Sequence, residues 1–180
     1  MARVGKADRG AYGLLVERHL ARSNGLATRT LSNAAEAEEV VQEAFLRLWK
    51  HAPNWEPQGA RFTTWFYRVV LNLCIDVQRK RRAKLVPIGD VAEPVSGDPS
   101  AEDGLYKDQI SHRVGLALEG LPGRQKTAIA LCYFQGLSNR EAAEILDINI
   151  KALESLLSRG RKALKETLGE LRQEMLGEAE

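Results

Sequence analysis

Cysteine is nearly absent from this chain of 180 residues: only Cys74 and Cys132 occur, each among apolar neighbours and neither in a Cys-x-x-Cys pair or a Cys/His cluster. That argues against a disulfide framework and a structural zinc site, and the expectation is two reduced, buried thiols. Histidine is equally sparse. His19, His51 and His112 fall in separate segments, and no glycine-rich phosphate loop or metal-ligand spacing accompanies them, so no catalytic residue, metal or cofactor is expected. Aromatic residues make up 6% of the chain and β-branched runs are few, which favours helices over strands. No apolar run approaches the roughly 20 residues of a membrane span, and nothing near Met1 has the basic, apolar and small-residue order of a signal peptide. The expectation is a cytoplasmic protein with no membrane insertion and no small-molecule substrate.

What is present is charge, and it is unevenly spread. The overall net charge of +2 divides into +7 over residues 1–84, −5 over 85–104 and zero over 105–180. The acidic stretch holds Pro87, Pro94 and Pro99 with Gly89 and Gly97, and lacks helical periodicity. It reads as a flexible linker between a basic and a neutral module with separate partners. The domain boundaries are therefore placed at 1–84 and 105–180.

The first module reads as three helices. One runs from about Asp8 to Thr30, with Leu14, Leu15, Arg18 and His19 at helical spacing, weakened by Gly13 and Gly25. The second, about Ala34 to His51, opens on the capping pair Asn33 and Glu36 and repeats Ala37, Val40, Val41, Ala44, Phe45 and Leu48 at steps of three and four. After a loop rich in proline and glycine, the third spans about Phe62 to Arg82. Its apolar stripe is Phe66, Val69, Val70, Leu73 and Val77, while Trp65, Arg68, Asn72, Asp76 and Arg79 share another face and Arg79 to Lys84 form a cationic end.

In the second module a helix from about Glu102 to Glu119 stops before Leu121-Pro122-Gly123, and another covers Arg124 to Phe134. Ser138-Asn139-Arg140-Glu141 is a capping box opening a short helix to Leu146. A turn at Asp147-Ile148-Asn149 leads into a long helix from Ile150 to about Met175, with Leu153, Leu157, Leu164, Leu168 and Leu171 as its buried stripe. Short helix, turn, long helix is the helix-turn-helix pattern, whose second helix enters the DNA major groove. Lys151, Ser155, Ser158, Arg159 and Lys162 lie off the leucine stripe and supply the hydroxyls and cations that base edges and phosphates require.

Together the segments resemble the sigma-70 family of RNA polymerase sigma factors, in its extracytoplasmic-function group. Ala37-Glu38-Glu39-Val40-Val41-Gln42-Glu43-Ala44-Phe45-Leu46 looks like the family's polymerase-binding helix. Phe62-Thr63-Thr64-Trp65-Phe66-Tyr67-Arg68, then Asn72, Asp76 and Arg79, looks like its −10 promoter helix. Leu121-Pro122, Gly136-Leu137-Ser138 and Arg159-Gly160-Arg161-Lys162-Ala163-Leu164 resemble its −35-binding domain.

The resemblance implies an all-α protein of two helical domains that directs core RNA polymerase to promoter DNA. Core binding falls to Glu39, Gln42, Glu43 and Leu46. The −10 contacts fall to Asn54, Trp55, Trp65, Arg68, Asn72, Asp76, Arg79 and Lys80, with the loop Asn54 to Ala60 taking a flipped base. The −35 contacts fall to Arg140, Lys151, Ser155, Ser158, Arg159 and Lys162, and an anti-sigma protein is the implied regulator. Asp76 is expected to orient Arg79 or Asn72 rather than touch anionic DNA. Glu154 and Leu156 stand where the family commonly has basic or polar residues, which bears on sequence preference more than on fold. The competing readings are a sigma-like mimic that binds only an anti-sigma protein, and a dimeric helix-turn-helix regulator; two cationic surfaces speak against the first and the lack of a surplus apolar face against the second.

Overall fold

The structure, a computed structural model, describes residues 1–56, 61–84 and 113–177. The expected linker at 85–104 and the start of the fourth helix lie outside them. Among the described residues every regular element is helical.

A short 3-10 turn, Val4–Lys6, precedes α1, Arg9–Leu31. Asp8 caps α1 by accepting from the Ala11 N–H at 2.9 Å, and Ser32 ends it in the left-handed region. The buried row of α1 passes through His19, Ser23, Leu26, Ala27, Thr30 and Leu31, while Leu14 is 58% exposed. Three of those six buried residues are polar, which is why apolar spacing alone marks this face only weakly.

Helix α2, Ala34–His51, has the expected bounds and buries all six residues of its expected stripe. Asn33 Oδ1 accepts from the Glu36 N–H at 2.9 Å, relieving one of the unpaired donors of the first turn. Helix α3, Phe62–Lys84, packs across α1 and α2. The core centres on Phe66, which is fully buried, stacks on Phe62 at 5.6 Å and tilts against Phe45 at 4.9 Å. The far end of α3 ties down the α1–α2 corner. Gln78 donates to the Thr30 carbonyl at 2.9 Å, and Arg81 donates to the Leu31 carbonyl at 3.2 Å and pairs with Glu36.

His19 lies inside this core, edge-on to Phe62 and Phe66, and its Nδ1 has no hydrogen-bond partner. Burial, and then the positive charges of Arg18 and Arg22, hold its pKa below the ordinary imidazole value. The unfolded chain therefore takes up this proton first as pH falls. His19 contributes stability that is present above about pH 6.5 and is lost on acidification toward its folded pKa. Denaturant midpoints measured between pH 7.5 and 5 should drop more steeply for the wild type than for His19→Phe.

The second module contains α4, described over 113–119, and α5, Gly123–Ile129, which runs into a π-helical turn at Ala130–Phe134. The wider turn is closed by the Gln135 N–H donating to the Ala130 carbonyl at 3.0 Å, and Gly136, at φ +66°, reverses the chain. Helix α6, Asn139–Leu146, starts at the expected capping box. The Ser138 side chain accepts from the Glu141 N–H, and the Glu141 carboxylate accepts from the Ser138 N–H at 3.0 Å. Ser138→Ala should cost about 1 kcal/mol, read as a lower midpoint for loss of helical circular dichroism. Asp147 takes the left-handed conformation at φ 54° and turns the chain into α7, Ile150–Gly177, which buries Leu153 and Leu157 against α5 and α6.

The thiols divide. Cys74 is fully buried and burial raises its pKa to about 12, whereas Cys132 is only half-buried, with Sγ 3.9 Å from Asn139 Oδ1. The expectation of two buried thiols is thus corrected at Cys132, which lies at the margin of the core beside the exposed Tyr133.

Candidate nucleic-acid interface

Burial of the α2 stripe fixes what its other side presents. Glu39, Gln42 and Leu46 are exposed, and Glu43 is half-buried and paired with Arg47 at 2.8 Å, which lowers its pKa. Leu46, 52% exposed, and Gln42 border a groove between α1 and α2 lined also by Tyr12, Val16, Leu20 and Asn24. The Asn24 Oδ1 atom is buried there without a hydrogen-bond partner. A mixed apolar and acidic ridge beside an apolar groove is a surface suited to another protein.

At the start of α3 the aromatic residues form one cluster. Trp65 stacks on His51 at 5.1 Å, and Trp55 meets Trp65 edge-on at 5.1 Å and Phe62 at 6.1 Å. Both tryptophans are half-buried, so each shares its ring between the fold and the surface beside Asn54, which is exposed. Residues 57–60 of the expected base-capturing loop lie outside the described residues.

Along α3, Arg68, Asn72 and Arg79 are exposed on one face, with Asp76 half-buried between the last two. Asp76 accepts from Arg79 at 3.0 Å. That pair holds the guanidinium against the helix while Asn72 keeps both amide functions free for solvent or a base edge. Lys80 is exposed as well, but its neighbour Arg81 is taken up by Glu36 and the Leu31 carbonyl. The cationic run therefore splits, with Arg79 and Lys80 facing outward and Arg81 spent on folding.

On α7, Lys151, Ser155, Ser158, Arg159 and Lys162 are all exposed. Arg159 donates to Ser155 Oγ at 3.1 Å, and Lys162 is 3.9 Å from Glu166. Arg140, on α6, is exposed and pairs with Glu144 at 3.3 Å. Departures from the family pattern sit where the sequence put them: Glu154 is exposed on the same helix and Leu156 is half-buried.

Sequence reasoning missed the contacts that join the two modules. Arg61 pairs with Glu141 at 2.8 Å, Arg68 donates to the Glu144 carbonyl, Lys126 donates to Ser32 Oγ at 2.6 Å, and Gln135 donates to the Arg22 carbonyl at 3.0 Å. Arg29 lies 4.1 Å over the Phe134 ring. Partners up to 113 positions apart leave no periodic trace in a sequence. Among the described residues no helix is long and apolar enough to cross a membrane, and no group of three or more histidine, cysteine or acidic residues could hold a metal ion.

Comparison with known proteins agrees with this geometry. Residues 15–84 match Sigma-70 region 2 and residues 111–164 match Sigma-70, region 4. The ECF RNA polymerase sigma factor SigW of Bacillus subtilis is 30% identical over 177 residues, covering 93% of this chain and 94% of the relative. The RNA polymerase sigma-H factor of Pseudomonas aeruginosa is 32% identical over 184 residues, covering 96% and 93%. Among solved structures, CnrH in complex with the cytosolic domain of CnrY superposes with a TM-score of 0.70 at 25% identity, covering 94% of each chain. The fold is shared also with the sigma factor RpoE from Bartonella quintana, solved with the anti-sigma factor NepR, at a TM-score of 0.69 and 24% identity over 88% of this chain and 97% of that one. Both modules, in the same order and over nearly the whole length, place the chain in the extracytoplasmic-function group of the sigma-70 family of RNA polymerase sigma factors.

Proposed function

We propose that this sigma factor docks on core RNA polymerase through Glu39, Gln42, Glu43 and Leu46 on α2, and reads promoters with two separate surfaces. The −10 element is engaged by Asn54, Trp55 and Trp65 at the loop end of α3 and by Arg68, Asn72, Arg79 and Lys80 along it, with Asp76 orienting Arg79. The −35 element is engaged by α7 through Lys151, Ser155, Ser158, Arg159 and Lys162, with Arg140 alongside. The domains that carry these tasks are residues 1–84 and 105–180. The protein acts in the cytoplasm, as an initiation factor rather than an enzyme.

The observation that carries this reading is the division of α3: Phe66, Val70 and Leu73 are buried, and Asn72 and Arg79 are exposed, with Arg79 braced by Asp76. A helix held rigidly by its core face can present a hydrogen-bonding amide and an oriented cation to a DNA strand. A partner of the anti-sigma kind is part of the proposal, supported by the family resemblance and by the likeness to CnrH, which was solved bound to the cytosolic domain of CnrY.

Gel filtration with purified core polymerase tests the docking step. The chain should co-elute with core, and Leu46→Asp should weaken binding at least about tenfold, because a charge is placed on the desolvated part of the interface. Leu46 is exposed, so its replacement leaves the fold intact. Absence of co-elution by the wild type would overturn the proposal.

A further inference from the structure

We propose that Glu154 on α7 is a specificity-determining residue of the −35 surface, and that it selects a cytosine at one position of the element. This inference deepens the reading of α7 given above and rests on it. The placement of Glu154 is set by the core side of its helix. Leu153 and Leu157 are buried on the side of α7 that packs on α5 and α6, and Gly160 is so close to α5 that a Cβ there would fall 3.1 Å from Ile129 Cγ1. Those contacts fix the rotation of α7 about its own axis. Glu154 is exposed, follows Lys151 by three residues and precedes Ser158 by four, so it is a surface neighbour of both. Its carboxylate therefore shares a ridge with two groups of the proposed −35 set, in the N-terminal part of the helix that a helix-turn-helix presents to base edges.

Capping does not account for this carboxylate. Asn149 already caps α7, its Oδ1 accepting from the Ala152 N–H at 2.8 Å, and Glu154 stands past the first turn, where the helix dipole has little effect. Arg159, Lys162 and Arg140 of the same surface are each engaged, with Ser155 Oγ, Glu166 and Glu144 respectively. Among the described residues Glu154 has no hydrogen bond or ion pair. Its acceptor capacity is wholly available to a ligand.

An ionised carboxylate only accepts hydrogen bonds and is repelled by phosphates, so against DNA it needs a base edge that donates. In the major groove guanine offers two acceptors, thymine an acceptor and a methyl group, and adenine a donor beside an acceptor. Cytosine offers its amino donor alone. It is the one base that Glu154 can meet without also facing an acceptor. Lys151, one turn earlier, supplies the attraction to phosphate that the carboxylate gives up.

The experiment starts from a genomic fragment on which core polymerase with the wild-type chain initiates. Its −35 element is randomised, each template carries a downstream barcode, and transcripts made with the full chain are counted by sequencing. With the wild type, cytosine on one strand should exceed the other bases at one position by about tenfold. Glu154→Ala should bring all four bases at that position within about twofold of one another and leave the preferences elsewhere in the element in place. Glu154→Gln should move the preference at that position to adenine, because an amide donates and accepts at once and matches adenine N7 and its amino group. Alanine and glutamine are both good helix formers, so neither change disturbs α7. Cytosine preference retained in the alanine variant overturns the proposal, as does a wild type that prefers bases other than cytosine throughout the element. An equal rise of transcription on every template in the alanine variant also overturns it, since that is the behaviour of a solvated carboxylate that merely repels DNA. A wild type indifferent to every base of the randomised stretch would instead sink the reading of the −35 element by α7, and the role of Glu154 with it.

Discussion

Phe66→Ala should destabilise the first domain by about 3–5 kcal/mol, a large part of the 5–15 kcal/mol that a domain commonly has. Phe66 is fully buried, and Phe62, Phe45 and His19 all pack on its ring, so truncation leaves a cavity bounded by three helices that cannot collapse independently. All three tryptophans, Trp49, Trp55 and Trp65, lie in the first domain. Their fluorescence therefore reports that domain alone, and urea titration should show the midpoint falling by about 2 M or more at unchanged slope. Phe66→Leu, which keeps most of the volume, should cost less than half as much. An alanine variant within about 1 kcal/mol of the wild type would mean that α3 is not anchored through this ring.

Asn72→Ala/Arg79→Ala should lower promoter-dependent transcription by at least about one order of magnitude and up to about four, since each of the two lost contacts to a base or phosphate is worth about 1–3 kcal/mol. Both side chains are exposed, and the one ion pair broken, Arg79 with Asp76, is a surface pair of little consequence for stability. Tryptophan fluorescence should accordingly give a urea midpoint close to that of the wild type. Core binding should also be unchanged, because the α2 surface is untouched. Transcription at the wild-type level in this variant would remove the α3 face from promoter reading.

Much of the fold was legible because the relevant signals are local. Asn33 and Ser138 announce their helices by side chains that satisfy donors within the next turn, and the apolar steps of α2 fix its buried face without reference to anything distant. The buried face of α1 was not legible in the sequence because His19, Ser23 and Thr30 fill half of its buried row with polar groups, which apolar spacing does not detect. The π-turn at Ala130–Phe134 has no sequence signature, since it differs from an α-helix by one added residue, and the contacts of Phe134 with Arg29 and of Gln135 with the Arg22 carbonyl beside it are equally non-local.

The site was legible in a different way. The exposed residues of α3 and α7 could be grouped by helical phase, but their roles came from family resemblance. Structure then divided a uniform-looking cationic run, giving Arg81 to Glu36 and the Leu31 carbonyl and leaving Arg79 and Lys80 outward. Lysine and arginine in a row look alike in sequence, and only the distance to a carboxylate on another helix separates a folding cation from one available to DNA.

Run-off transcription with purified core polymerase on a pool of genomic promoter fragments tests the central claim most directly. With the wild-type chain added, discrete transcripts should appear that core alone does not make, and their upstream sequences should share two spaced elements at the −35 and −10 positions. Core that binds the chain yet starts no discrete transcript on any fragment of the pool would contradict the account.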